Sequence, residues 1–243
     1  MNHKQHKTTG GSFTFRQFAV KQDQCAMKVT TVACVQGAWL PDVEPKAILD
    51  IGAGTGILSL MAAQKYTCPI DAVEIDLDAF GQMKANVKAS PWPTQISIYH
   101  ADIRDFAQRQ CKKYDLIISN PPFYSNQLKS DNARSNCARH GTSLDHRQLV
   151  EVCHNLISEH GRISMLLPPS ESARITELFG AVGIHLSDQL HIIDTPGRAP
   201  KTMVSIFAAT QAPVQIHQLV IKEPSGAYTP EFSTLLRDYY LYL

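Results

Sequence analysis

Asn120-Pro121-Pro122-Phe123 concentrates more possible chemistry than any other four residues of this 243-residue chain. It follows Tyr114-Asp115-Leu116-Ile117-Ile118-Ser119, an apolar run that reads as a β-strand. Pro121 has a fixed φ and no N–H, and Pro122 disfavours helical geometry at its predecessor, so the chain must leave the strand extended and stiff. In that conformation the Asn120 carboxamide oxygen and the Pro121 carbonyl can face the two N–H bonds of one exocyclic amine. Such an amine is a poor nucleophile because its lone pair is delocalised into the flat group that bears it. Accepting both hydrogens draws the nitrogen toward tetrahedral geometry and stabilises the positive charge that develops as a methyl group arrives. No general base is required. Phe123 supplies a ring to stack on the planar substrate and fix its orientation. The four residues form the candidate catalytic set. By itself the motif selects an amino nitrogen on something flat, and leaves adenine, guanine and an amide open.

A second motif, Asp50-Ile51-Gly52-Ala53-Gly54-Thr55-Gly56, follows an apolar strand and opens a helix near Ile57. Its glycines allow a tight turn and close approach of a ligand. A dinucleotide fingerprint would read Gly-x-Gly-x-x-Gly, whereas the spacing here is Gly-x-Gly-x-Gly behind an acid. A carboxylate attracts the sulfonium and α-ammonium of S-adenosylmethionine and would repel a pyrophosphate. The expected cofactor is therefore S-adenosylmethionine, released as S-adenosylhomocysteine, with Asp50, Gly52, Ala53, Gly54 and Gly56 as loop contacts. Glu74 ends the next strand, where a carboxylate can take the ribose hydroxyls. Asp102 and Ile103 follow the third strand, where they can meet the adenine, and Asn120 closes the donor site from the catalytic side. Asp76 and Asp105 read as helix caps or solvated charges.

The elements that must position these residues are short apolar runs alternating with helical segments. Ala47–Ile51, Ile70–Ile75, Ile96–His100, Leu116–Ser119 and Ile163–Leu167 read as strands, and Leu77–Ala89 and Leu144–Ile157 as helices. That alternation implies a parallel sheet with crossover helices. Leu186–Ile193 and Thr202–Ala209 are strand candidates joined by the turn-rich Asp194-Thr195-Pro196-Gly197-Arg198-Ala199-Pro200. Phe232, Leu235, Leu236 and Tyr239, at helical spacing, predict a terminal helix packed on the core.

Twenty-three Lys and Arg against twenty-two Asp and Glu give a formal net charge of +1, which excludes a uniformly basic nucleic-acid binder. A polyanion would have to meet a local patch. Arg16, Lys21, Lys28, Arg134, Arg139 and Arg198 border the expected mouth and are the candidate contacts to RNA phosphates, so RNA binding should weaken with salt. The six cysteines show no CxxC or Cys/His ligand spacing, as expected of reduced thiols without a metal. No apolar leader and no membrane-length apolar run is present, which predicts a cytoplasmic protein without a membrane segment. His140 receives no role.

LDIGAGTGILSL, AVEIDLDA and SNPPF together resemble the class I, Rossmann-like amino-methyltransferases, which act on adenine N6, guanine N2 or a glutamine amide. The flanks FTFRQFAVKQDQCAMKVTTVACVQGAWL, ARHGTSLDHRQLVE, GRAPKTMVSIF and YTPEFSTLLRDYYL are similar to the bacterial tRNA1(Val) adenine-37 N6-methyltransferase family, so the resemblance spans nearly the whole chain. It implies an α/β fold with a mostly parallel seven-stranded sheet, helices on both faces and a C-terminal antiparallel hairpin. It also implies a monomeric or weakly associating cytosolic enzyme acting on the anticodon loop of tRNA. Residues 1–40 would form a basic arm covering cofactor and substrate, and residues 41–243 the methyltransferase domain. Thr30-Thr31-Val32 departs from the family's usual Gly-Thr-Asp. The rival readings are protein glutamine N5-methylation, rRNA guanine N2-methylation, and a non-catalytic module that binds S-adenosylmethionine and RNA.

Overall fold

A computed structural model describes residues 11–25, 28–122 and 144–243. The chain begins with a small antiparallel hairpin, β1 (Ser12–Thr14) and β2 (Ala19–Lys21), and a helix, α1 (Thr31–Ala38). It then alternates as β3 (Ile48–Ile51), α2 (Ile57–Lys65), β4 (Ile70–Glu74), α3 (Leu77–Ala89), β5 (Ile96–His100), α4 (Ile103–Arg109) and β6 (Tyr114–Ser119). After residue 144 follow α5 (His146–Leu156), β7 (Ile157–Leu167), α6 (Pro169–Gly180), β8 (His185–Ile193), β9 (Thr202–Ala208), β10 (Gln215–Val220) and α7 (Pro230–Leu236).

The main sheet runs β10-β8-β9-β7-β6-β3-β4-β5. The pairs β3–β4, β3–β6, β4–β5 and β6–β7 are parallel, whereas β9 lies antiparallel to both β7 and β8. The parallel sheet and the β8–β9 hairpin match expectation, but among the described residues the sheet has eight strands where seven were expected. The extra strand, β10, joins β8 in parallel at the sheet edge. Gln215, Ile216, His217 and Gln218 are all exposed, so β10 lacks the apolar alternation that betrays a strand in sequence.

Period-two alternation sends successive strand residues to opposite faces. Ile48, Ile70, Ala72, Leu116 and Ile118 face α1, α2, α3 and α7. Leu49, Ile51, Val73 and Ile117 face α4, α5 and α6. Burying each such aliphatic side chain contributes about 1.5–3 kcal/mol, before the conformational entropy that opposes it. Phe232, Leu236 and Tyr239 are buried in the first of these cores, as their helical spacing predicts.

The expected basic arm is seated on that same core. Phe15, Phe18 and Val20 are buried there beside Cys34 and Val35 of α1. Phe15 pairs with Tyr240, and the Arg16 N–H and Nε donate to the carbonyls of Tyr239 and Tyr240 at 2.8 and 2.7 Å. Arg16 thereby joins the two ends of the described chain, and one guanidinium donor expected for phosphate is already used.

Candidate active site

The strand order turns at β3 and β6. From β3 the chain moves to β4 and β5 on one side, then returns to β6 and β7 on the other, which opens a crevice at the carboxyl ends of the strands. Ile51 lies opposite Ser119 in register, so the glycine loop and Asn120 leave the sheet side by side. The Ser119 hydroxyl fixes that junction by donating to the Ile51 carbonyl at 3.0 Å. A cleft of about 330 Å³ lies there, and its wall includes Gly52, Ala53, Gly54, Glu74, Asp102, Ile103, Asn120, Pro121 and Pro122.

The loop holds its shape through its own backbone and one carboxylate. Gly52 and Ala53 donate to the Val73 carbonyl at 3.0 and 3.1 Å, and Gly54 donates to Glu74 Oε2 at 2.7 Å. Gly54 has φ +58° and Gly56 φ +83°, where side-chain-bearing residues are strained. A Cβ on Gly56 would also stand 2.9 Å from Met83 Cγ, so this glycine seats α2 against α3. A Cβ on Gly52 or Gly54 would meet nothing within 4 Å, which leaves the inner face of the loop open to a ligand.

The acids differ in how they meet the cleft. Glu74 lines it, with Oε1 accepting from Asp76 N at 2.8 Å and Oε2 from Gly54 N, an arrangement that braces the loop against the end of β4. Asp102 lines it as the N-cap of α4, accepting from the Arg104 backbone N–H and, with both oxygens, from the Arg104 guanidinium. Hydrogen bonding from Arg104 holds its carboxyl below the ordinary range. Asp50, expected as a loop contact, is not part of the cleft wall and is wholly buried behind it. Burial pushes its pKa up to about 7, with a further push from the Glu74 charge, although the Ser59 hydroxyl donates to Oδ2 at 2.6 Å. Its Oδ1 has no hydrogen-bond partner. Gly56 is likewise behind the wall. Asp76 caps α3 by accepting from Ala79 N at 2.8 Å, and Asp105 lies in the first turn of α4.

Asn120 carries another unpaired oxygen. Its Oδ1 is buried without a hydrogen-bond partner, and Asn120 shares the wall of the cleft with the glycine loop. Leaving a buried amide oxygen unpaired costs about 1–3 kcal/mol, so the position is suited to an incoming donor. An open glycine loop, the Glu74 carboxylate and the Asp102–Ile103 turn fit the three parts of S-adenosylmethionine. Phe123, Arg134 and Arg139 lie outside the described residues. Lys28 lines the cleft and is exposed, Lys21 is exposed on β2, and Arg198 is exposed in the β8–β9 turn. Charge alone identified these cations and could not reveal that Cys25 and Val29 beside Lys28 are also wall residues.

A family model described as the methyltransferase small domain matches residues 37–144. A tRNA1(Val) (adenine(37)-N6)-methyltransferase from Tolumonas auensis is 40% identical over 96% of this chain and 98% of its own length. Another, from Cronobacter sakazakii, is 37% identical over 95% of each chain. Among solved structures, a methyltransferase from Pyrococcus furiosus superposes with a TM-score of 0.59 at 17% identity, covering 80% of this chain and 90% of that one, a likeness of fold alone. No helix among the described residues is long and apolar enough to cross a membrane. The methyl donor of this Rossmann-like class I fold is S-adenosylmethionine. With near-full-length identity at this level, the chain belongs to the tRNA1(Val) (adenine(37)-N6)-methyltransferase family.

Proposed function

We propose that this protein transfers a methyl group from S-adenosylmethionine to N6 of adenosine 37 in the anticodon loop of tRNA1(Val), as a cytoplasmic monomer. The observation that carries the reading is the unpartnered, buried Asn120 Oδ1 in the wall of the cleft that the glycine loop also lines. When bound, the donor supplies a methyl group activated by its sulfonium. Gly52, Ala53 and Gly54 receive the donor, Glu74 its ribose, and Asp102 with Ile103 its adenine. Asp50 acts from behind the loop by accepting from the Ser59 hydroxyl, and Gly56 through the packing it permits.

On the acceptor side, Asn120 Oδ1 and the Pro121 carbonyl receive the two hydrogens of the adenine amino group. Pro121 and Pro122 keep those acceptors from turning away, and Phe123 stacks on the base. Turning an adenosine out of a loop costs about a few kcal/mol, less than from a paired stem. Stacking and phosphate contacts at Lys21, Lys28 and Arg198, with Arg134 and Arg139 beyond the described residues, offset that cost. Arg16 retains exposed guanidinium donors for the same use. Residues 1–40 act as the cover and residues 41–243 as the catalytic domain, and Phe15, Phe18 and Val20 of the first share one of the two cores of the second.

The test is to incubate the protein with radiolabelled donor and bulk tRNA lacking the modification, then digest the RNA to nucleosides. Label in N6-methyladenosine is expected. Label in N2-methylguanosine or only in protein, or no label despite donor binding, overturns the reading.

A further inference from the structure

On α3, Gln82 and Asn86 stand one turn apart and are 5% and 2% exposed. Burying two amides on a helix is costly unless every polar atom is paired. Their partners belong to other segments. Asn86 Oδ1 accepts from Lys21 N at 2.9 Å, and Nδ2 donates to the Lys21 carbonyl at 3.0 Å and the Thr55 carbonyl at 2.9 Å. Gln82 Oε1 accepts from Gln24 N at 3.2 Å, and Nε2 donates to Asp23 Oδ1 at 2.6 Å. A third buried amide, Gln22, accepts from Val29 N at 2.6 Å through Oε1.

The backbone so held runs directly into Cys25, Lys28 and Val29, which are wall residues of the cleft, and Thr55 is a wall residue from the glycine loop. One amide, Asn86, therefore bonds both to the segment that leads to Cys25 and to Thr55 of the glycine loop. We propose that Asn86 and Gln82 are positioning residues for the methyl donor: they hold residues 21–25, Lys28 and Val29 as a standing wall against the glycine loop. This side of the donor seat is then built before either substrate arrives. The inference rests on the cleft being the donor site.

Calorimetric titration with S-adenosylhomocysteine, single-turnover transfer at saturating donor, and amide exchange on the full chain test it together. Asn86→Ala is expected to raise the donor Kd about tenfold, or about 1.4 kcal/mol. Its transfer rate at saturating donor should stay within about threefold, and residues 21–25 should exchange faster while β3 and β4 keep their protection. Asp23 is exposed, so Asp23→Ala removes the outer anchor of Gln82 without disturbing the core; a rise of about threefold is expected. Asp23→Asn, which keeps the acceptor oxygen, should bind the donor as the unaltered chain does. A donor Kd within twofold in folded Asn86→Ala, or a mere loss of active fraction at unchanged Kd, overturns the proposal. Should Asn86→Ala fail to fold, equal donor affinities for Asp23→Ala and Asp23→Asn overturn it. No donor binding by the unaltered chain would instead remove the donor reading, and this inference with it.

Discussion

In the proposed reading the cleft has a donor half around the glycine loop and an acceptor half around Asn120, and the two are built in opposite ways. On the donor half nearly every polar group that shapes the wall is satisfied internally: Glu74 accepts from two backbone N–H groups, Asp102 is held by Arg104, and the loop amides find the Val73 carbonyl. On the acceptor half, Asn120 keeps a buried oxygen unpaired at the end of a strand that Ser119 pins to Ile51. A seat for a large, mostly static ligand gains from rigidity supplied by its own bonds. A group that must stabilise charge appearing only during reaction gains from an unfilled, fixed acceptor.

If the halves are separable in this way, Asn120→Ala should lower the transfer rate by about 10²–10³ while leaving the donor Kd within about twofold. Single-turnover kinetics beside calorimetry measures both. Undiminished turnover would remove Asn120 from the mechanism, and a parallel loss of donor affinity would merge the halves. Glu74→Ala should do the reverse, raising the donor Kd about tenfold or more because two N–H groups lose their acceptor, with the saturated rate within about threefold. A Glu74 variant that binds donor normally would break the contrast from the other side.

The smallest effect concerns Asp50, a buried carboxyl behind the glycine loop whose Oδ1 lacks a hydrogen-bond partner. Asp50 has a folded-state pKa pushed up to about 7, so between roughly pH 4 and 7 the folded chain holds a proton that the unfolded chain has lost. Stability from this group is complete below pH 4 and falls as pH rises to 7, by at most about 1.4 kcal/mol per unit. Asp50→Asn removes that dependence. Urea unfolding at several pH values should show the variant gaining stability relative to the unaltered chain from pH 4 to 7, then no further. A difference independent of pH would contradict the buried, half-paired carboxyl.

Much of the proposed donor half is legible in sequence because it is built on short-range pattern. Gly52, Gly54 and Gly56 are spaced for a turn, and Glu74 ends the next strand. Asp50 shares that motif, but spacing does not say which side of the loop an acid occupies, and it lies behind the wall. The proline-stiffened exit at Asn120 is equally plain, whereas the vacancy of its Oδ1 is a tertiary fact. Three features had no local signal. The β10 strand is parallel and exposed at the edge, so it lacks alternation. Arg16 and its neighbours read as a basic arm because Phe15, Phe18 and Val20 are too few to announce a buried segment. Gln82 and Asn86 look like ordinary polar helix residues until the chain that crosses them is in place. Their spacing of four, on the side of α3 that also buries Met83, is the only hint available beforehand.

The most direct test of the central claim compares two tRNA1(Val) transcripts, one with adenosine 37 and one with guanosine in its place, as acceptors of labelled methyl. The proposed adenine-N6 activity gives label in N6-methyladenosine from the first and no transfer to the second. Equal labelling of both, or label recovered as N2-methylguanosine from the second, would contradict it.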